Sequence, residues 1–310
     1  MSGFSHRPVL LVEVLAALRP QPGGRYVDGT LGEGGHATAI LAASSPTGRL
    51  YGCDRDSAAV EVAGRRLGQL YPGRFELRQG SFAELADWVP AGSCDGVLLD
   101  LGLSSAQLGE AERGFSFAQD GPLDMRFDRR QSQTAADLVN GAEADELARL
   151  FWELGGERRA RRLARAIVAR RVERPFQTTG ALAALLEEVA PRRGAGKHPA
   201  TQVFQALRLA VNDEIGALRR GLEAALKVLK AGGRLAVITF HSLEDRTVKE
   251  FGRTRARDYT FAGPEDVPEL RRPRAPELRV LTRKALKPGA AELADNPRSR
   301  SAQLRVIEKV

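Results

Sequence analysis

The chain has 310 residues, 43% of them hydrophobic and 28% charged, and no apolar run long enough to span a bilayer, so one large folded domain or two unequal ones are expected and a membrane helix is not. Lys plus Arg outnumber Asp plus Glu by 47 to 39, a net charge of +8, which favours polyanionic partners through phosphate contacts and counterion release. The two cysteines, Cys53 and Cys94, lie far apart with no metal-ligand spacing, and the N-terminus has no signal-peptide pattern; no metal site or disulfide framework is expected, and a cytoplasmic location fits.

Pro8 to Leu18 reads as a helix with proline in its first turn, ended by Pro20, Pro22, Gly23 and Gly24. Arg25-Tyr-Val-Asp-Gly-Thr-Leu-Gly-Glu-Gly-Gly-His36 follows as a short buried strand running into a glycine-dense turn, with a helix from about Ala37 to Ala43. Strand, glycine turn and helix form the geometry that brings backbone N–H groups close to a cofactor. Gly32-Glu33-Gly34-Gly35-His36-Ala37 fits G-x-G-x-x-G/A, a weak signal when taken alone. Arg49–Asp54 is a second strand ending on an acid, followed by a helix from Ser57 to about Leu70 with Asp56 or Ser57 as its cap. Phe75–Ser81 and Gly96–Gly102 read as the third and fourth strands. Such alternation implies a parallel sheet with helices on both faces.

From about Ala106 to Glu214 the alternation stops. Turn-rich loops at Gly114–Phe117 and Asp120–Arg126 precede helices expected at Thr134–Leu138, Ala142–Leu154, Ala160–Arg174, Thr179–Val189 and Ala200–Leu209. Glu214–Lys230 is then an amphipathic helix stopped by Ala231-Gly-Gly, and Arg234–Phe240 a fifth strand. Ser242 caps a helix to about Arg253, Ala256–Pro276 reads as a charged surface loop, and Leu278–Thr282 and Ala302–Ile307 are candidate last strands. The expected division is an α/β domain in two parts, 1–105 and 214–310, with a helical insertion at 106–213.

Three strand ends bear on the cofactor. The glycine turn follows the first strand, Asp54 ends the second about twenty residues beyond Gly34, where a carboxylate takes ribose hydroxyls, and Asp100 ends the fourth. Both NAD and S-adenosylmethionine fit this much. A dehydrogenase needs a proton-transfer couple, and none of the four tyrosines has a lysine at the Tyr-x-x-x-Lys spacing. A polar Asp-led loop after the fourth strand suits an amine methyltransferase, so adenosylmethionine is favoured.

Val27-Asp-Gly-Thr-Leu-Gly-Glu-Gly-Gly-His36, Leu98-Leu-Asp-Leu-Gly-Leu-Ser-Ser105, Glu112-Arg-Gly-Phe-Ser-Phe117, Asp120-Gly-Pro-Leu-Asp-Met-Arg126, Lys197-His-Pro-Ala-Thr201, Thr239-Phe-His-Ser-Leu-Glu-Asp-Arg246 and Asn296-Pro-Arg-Ser-Arg-Ser301 together resemble the MraW-type methyltransferases, over nearly the whole chain. The resemblance implies a Rossmann-like class I methyltransferase sheet with an inserted all-helical domain. It also implies adenosylmethionine-dependent methylation of the exocyclic N4 of a cytosine in small-subunit (16S) ribosomal RNA, with free RNA or the assembled small subunit as substrate. By the same resemblance, Gly34, Gly35 and His36 line the methionine end of the cofactor, Asp54 its ribose and Phe82 its adenine, while Asp100 and Gln107 close the site. Lys197, His198, His241 and Arg246 become candidate substrate contacts.

The loop after Asp100 lacks the Pro-Pro-aromatic that many amino-methyltransferases carry. Asp100 or a neighbouring carbonyl is therefore the candidate acceptor for the N4 proton, and Phe115, Phe117 or His241 the candidate stacking surface. The arginine-rich stretch Glu157–Arg174 suits RNA phosphates. A nicotinamide oxidoreductase and a non-catalytic ribosome-assembly factor are the competing readings, and the oligomeric state, a homodimer included, stays open.

Overall fold

A computed structural model describes residues 8–191, 198–262 and 266–310 of the chain. The N-terminal part alternates helix and strand through α1 (Leu11–Leu18), β1 (Arg25–Asp28), α2 (Gly35–Ala43), β2 (Arg49–Asp54), α3 (Ser57–Leu70), β3 (Phe75–Gln79) and β4 (Cys94–Asp100). Helices follow: α4 (Ser105–Gly109), α5 (Ala135–Gly141), α6 (Ala144–Glu153), α7 (Ala160–Glu173), α8 (Thr179–Val189) and α9 (Ala200–Val211). The C-terminal part comprises α10 (Glu214–Val228), β5 (Leu229–Thr239), α11 (Ser242–Arg255), β6 (Tyr259–Phe261), β7 (Arg271–Pro273), β8 (Leu278–Val280), α12 (Ala290–Asp295) and β9 (Gln303–Lys309).

Seven strands form one sheet in the order β3-β2-β1-β4-β5-β9-β8. The five from β3 to β5 are parallel, whereas β9 runs antiparallel to β5 and to β8. The chain winds outward from β1 to β3 and then returns to place β4 on the other side of β1. Strand order reverses there, and in an open α/β sheet this is where a ligand crevice forms, at the carboxyl ends. The parallel sheet expected from the alternation and the Rossmann-like fold implied by the resemblance are both present, with two antiparallel strands completing the far side.

Alternate residues of the strands serve opposite faces. Val27, Cys53, Val97, Leu99, Leu235 and Val237 join a core with Leu218, Leu222 and Ala225 of α10 and Val248 of α11. Tyr26, Leu50, Leu98, Ala236 and Ile238 join a second core with α1, α2 and α3 through Val14, Leu18, Ile40, Leu41, Ala63 and Leu67. Both faces are buried, which explains why these strands read as unbroken apolar runs. Each fully buried aliphatic side chain contributes about 1.5–3 kcal/mol.

Two stretches differ from expectation. Helix α10 ends at Val228, and Leu229 already pairs with Cys94 while Arg234 pairs with Gly96. The four residues 230–233 thus face the single residue Asp95 of β4, and the extra chain is accommodated by Gly232 at φ 74°; the glycines make a bulge rather than a helix stop. The expected loop at Ala256–Pro276 contains the β6–β7 hairpin. There the guanidinium of Arg257 lies 5.4 Å from the centre of the Tyr259 ring and that of Arg271 4.3 Å from it, so arginine–aromatic stacking replaces the apolar alternation that would have marked strands.

The chain divides into two compact units, Met1–Gly102 with Ile215–Val310, which carries the sheet, and Leu103–Glu214. The second has a core of its own, in which Leu147, Phe151, Leu163, Ile167, Leu186 and Leu207 are fully buried. Among the described residues no helix is long and apolar enough to cross a membrane.

Candidate active site

Asp28 ends β1, and the chain must turn before α2 begins at Gly35. Hydrogen bonds pin that turn to both neighbouring strands: Gly29 N–H donates to Leu98 O at 2.9 Å, and Leu31 N–H to Cys53 O at 3.0 Å. The Thr30 hydroxyl accepts the N–H of Asp100 at 2.6 Å, tying the turn to the end of β4. The glycines serve different ends. A Cβ on Gly34 would lie 3.1 Å from that of Ala63, and one on Gly35 2.6 Å from the Pro8 ring, whereas one on Gly32 would meet nothing within 4 Å. Gly34, at φ 78°, lets α2 approach α3, and Gly35 makes room for Pro8. It is Gly32 that faces open space.

Four ionisable side chains gather at the strand ends. Asp28 is 1% exposed; its Oδ1 accepts the Thr30 N–H at 3.2 Å, and its Oδ2 has no partner among the described residues. Burial raises its carboxyl to about 6 against the opposing pull of His36 and the Thr30 N–H. His36 is buried, with neither ring nitrogen hydrogen-bonded; Nε2 lies 3.4 Å from Asp100 Oδ2, too poorly aligned for a bond. Burial disfavours its charged form, but Asp100, Asp28 and Glu292 outweigh that and raise its pKa. Asp100 Oδ1 is likewise unpartnered. The Asp54 carboxylate accepts the N–H groups of Gly32 and Asp56, each at 2.9 Å, while burial raises its pKa.

Buried polar atoms are nearly always partnered. Among the described residues five buried side-chain atoms are not, and four of them belong to Asp28, His36 and Asp100. Two carboxylates with unmet acceptor capacity, beside an open face at Gly32, fit a cationic ligand. S-adenosylmethionine, with its sulfonium and ammonium groups, is such a ligand. Among the described residues no group of three side chains is arranged to hold a metal ion.

The remaining expected residues sit on other elements. Phe82 follows β3, half-buried, its ring against Gly221 of α10, where a Cβ would come within 2.2 Å of it. Gln107 sits in α4, in the other compact unit, and its side-chain carbonyl accepts the Ser104 N–H at 3.1 Å. His198 accepts the Ala200 N–H at 3.1 Å and stacks on Phe117 at 4.6 Å, opening α9. His241, not Ser242, is the N-cap of α11: its Nδ1 accepts the Glu244 N–H at 3.4 Å, and Glu244 Oε2 accepts the His241 N–H at 3.2 Å. Arg246 is exposed on α11 with no ion-pair partner among the described residues. Phe115 is buried and stacks on Phe127 inside the helical core, so it offers no surface to a base. Lys197 lies outside the described residues.

Sequence reasoning missed Asp28, Thr30 and Glu292. Asp28 had the signal that singled out Asp100, an acid after an apolar strand. Glu292 had none, because α12 reads as a polar surface segment; its carboxylate accepts the Leu10 N–H at 2.8 Å.

The chain matches the model of the MraW methylase family over residues 3–310. Relatives named Ribosomal RNA small subunit methyltransferase H from Geobacter sulfurreducens and Symbiobacterium thermophilum are 52% and 50% identical to it, over 99% of this chain and 99% and 97% of theirs. A solved rRNA methylase from Streptococcus thermophilus superposes at a TM-score of 0.44 and 11% identity, with 99% of each chain covered. With motifs, strand order and a full-length match in agreement, the chain belongs to the MraW methylase family.

Proposed function

We propose that this chain transfers the methyl group of S-adenosylmethionine to the exocyclic N4 of a cytosine in small-subunit ribosomal RNA, in the cytoplasm. The carrying observation is the unpartnered carboxylate cluster of Asp28 and Asp100 around His36 at the strand-order reversal. When bound, the cofactor supplies an electrophilic methyl on a cationic sulfonium leaving group. Asp28 and Asp100 would hold its positive end, and the lone pairs of Asp54 not engaged by Gly32 and Asp56 would take ribose hydroxyls.

Cytosine N4 is a poor nucleophile because its lone pair is delocalised into the ring. The protein must therefore orient the amine and stabilise the charge that develops on nitrogen. Asp100 Oδ1, unpartnered at the end of β4, suits a hydrogen bond from the amine. His36 Nε2 lies 3.4 Å from the other oxygen, on the side away from the proposed acceptor, and favours the ionised carboxylate. A base must leave its stack to reach such a crevice. Arg246, Lys249 and Arg253 lie three and four residues apart on one exposed face of α11, which starts from the carboxyl end of β5, and they suit the phosphates on either side. A single copy of the chain carries every residue this reading uses.

The test is transfer of radiolabel from methyl-labelled adenosylmethionine to small ribosomal subunits and to their naked RNA. Label in either RNA, reduced at least about a hundredfold by Asp100→Ala at saturating cofactor, is expected; full turnover by that variant would remove Asp100 from the mechanism. Cofactor binding without transfer to any RNA would favour an assembly factor.

A further inference from the structure

The corner between α6 and α7 carries an exposed indole and an unbalanced basic face. Trp152, next to last in α6, is 61% exposed. The corner is held tightly: Gly156 N–H donates to Trp152 O at 3.0 Å and Glu157 N–H to Phe151 O at 2.9 Å. A Cβ on Gly155 would fall 2.3 Å from Gln202 O, so the corner is pressed onto α9. Ala160, Leu163, Ala164 and Ile167 define the buried side of α7. Arg161, Arg162 and Arg165 lie on the opposite, exposed side, Arg158 is exposed two residues before the helix begins, and none of the four has an ion-pair or hydrogen-bond partner among the described residues.

These arginines do not serve the fold. They sit at three- and four-residue spacing, where like charges repel. They cluster toward the N-terminal end of the helix, where cations are disfavoured, and the first turn holds no acid. The neighbouring acid, Glu157, is 2% exposed and engaged by the N–H and Nε of Arg159. By contrast Arg170 pairs with Glu188 at 3.1 Å, and Arg171 donates to the carbonyls of Val139 and Ala142. A polyanion relieves the repulsion, and a large aromatic ring beside a phosphate track is the arrangement on which unpaired bases stack.

We propose that the α6–α7 corner is a second RNA-binding platform, on which Trp152 stacks an unpaired base while Arg158, Arg161, Arg162 and Arg165 hold the adjoining phosphates. It deepens the ribosomal-RNA reading and rests on that reading for its substrate class. Binding of a labelled single-stranded RNA oligonucleotide, followed across a salt series, tests it with the full chain. Trp152→Ala is expected to weaken binding about tenfold with an unchanged salt slope, and Trp152→Phe to recover most of that loss. The triple variant Arg161→Gln, Arg162→Gln, Arg165→Gln is expected to lower the slope of log affinity against log salt by about two. Neutralising Arg65 and Arg66, two arginines exposed on α3, should leave affinity and slope near those of the parent.

Affinity unchanged by both Trp152→Ala and the triple variant, with melting temperatures intact, would overturn the platform. So would variants that lose binding to assembled subunits but not to RNA, an outcome that points to a protein partner. Arginine-dependent RNA binding by a chain that transfers no methyl to ribosomal RNA would support the platform while removing the substrate assigned above.

Discussion

Asp28 is where the site and the stability of the fold meet. Its carboxyl keeps a proton to about pH 6 in the folded chain, against 3.8 for its ordinary value, so folding takes up a proton between these limits. The stability it contributes is therefore full below the lower value and disappears as pH rises through the upper, about 3 kcal/mol in all. His36 has the same sign, since its raised pKa gives stability that is lost as pH rises through its folded value. Asp28→Asn keeps the shape and removes the titration. Denaturant melts between about pH 4.5 and 8 are expected to show the parent losing about 2 kcal/mol more than this variant. Parallel losses would mean that Asp28 is not buried as a carboxyl. At this scale the sequence was half legible. Asp54 and Asp100 stood out as acids after apolar strands, but Asp28 was hidden among the glycines that follow it, and the role of Glu292 depends on a packing contact from the far end of the chain.

At the scale of elements, α11 and the glycine turn show what packing adds to the sequence. His241 reads in sequence as a substrate contact within a family motif, yet its imidazole closes a capping box with Glu244. His241→Ala is expected to cost about 1 kcal/mol in a thermal melt, and His241→Asn to restore most of it, because asparagine caps well. Recovery of stability by His241→Asn without recovery of RNA methylation would return the histidine to the substrate site. In the turn, Gly34 and Gly35 are accounted for by neighbours that sequence order does not reveal, Ala63 on another helix and Pro8 upstream. Gly221 is a similar case: alanine there would meet the Phe82 ring, and Gly221→Ala is expected to destabilise the chain by about 1–3 kcal/mol, read by chemical denaturation. An unchanged midpoint would show that the ring swings aside freely. Such glycines look alike in sequence, and only packing separates those that accommodate a neighbour from one, like Gly32, that leaves open space.

For the whole molecule, the parallel half of the sheet was legible because strands buried on both faces leave unbroken apolar runs such as Gly96-Val-Leu-Leu99. Pairing was not legible: nothing local in Gln303–Lys309 tells that it inserts between β5 and β8 in antiparallel register. The bulge in β5 was misread because Ala231-Gly-Gly is also how helices end. In the proposed mechanism a carboxylate cluster at the strand-order reversal presents a methyl donor to an exocyclic amine. Its most direct test is the identity of the modified nucleoside. Small subunits lacking the modification are incubated with this chain and adenosylmethionine, then digested and separated by mass spectrometry. A methylcytidine carrying the new group on N4, formed by the parent and lost with Asp100→Ala, is the expected result. A methyl group on a ring atom, on the ribose or on another base would contradict the account.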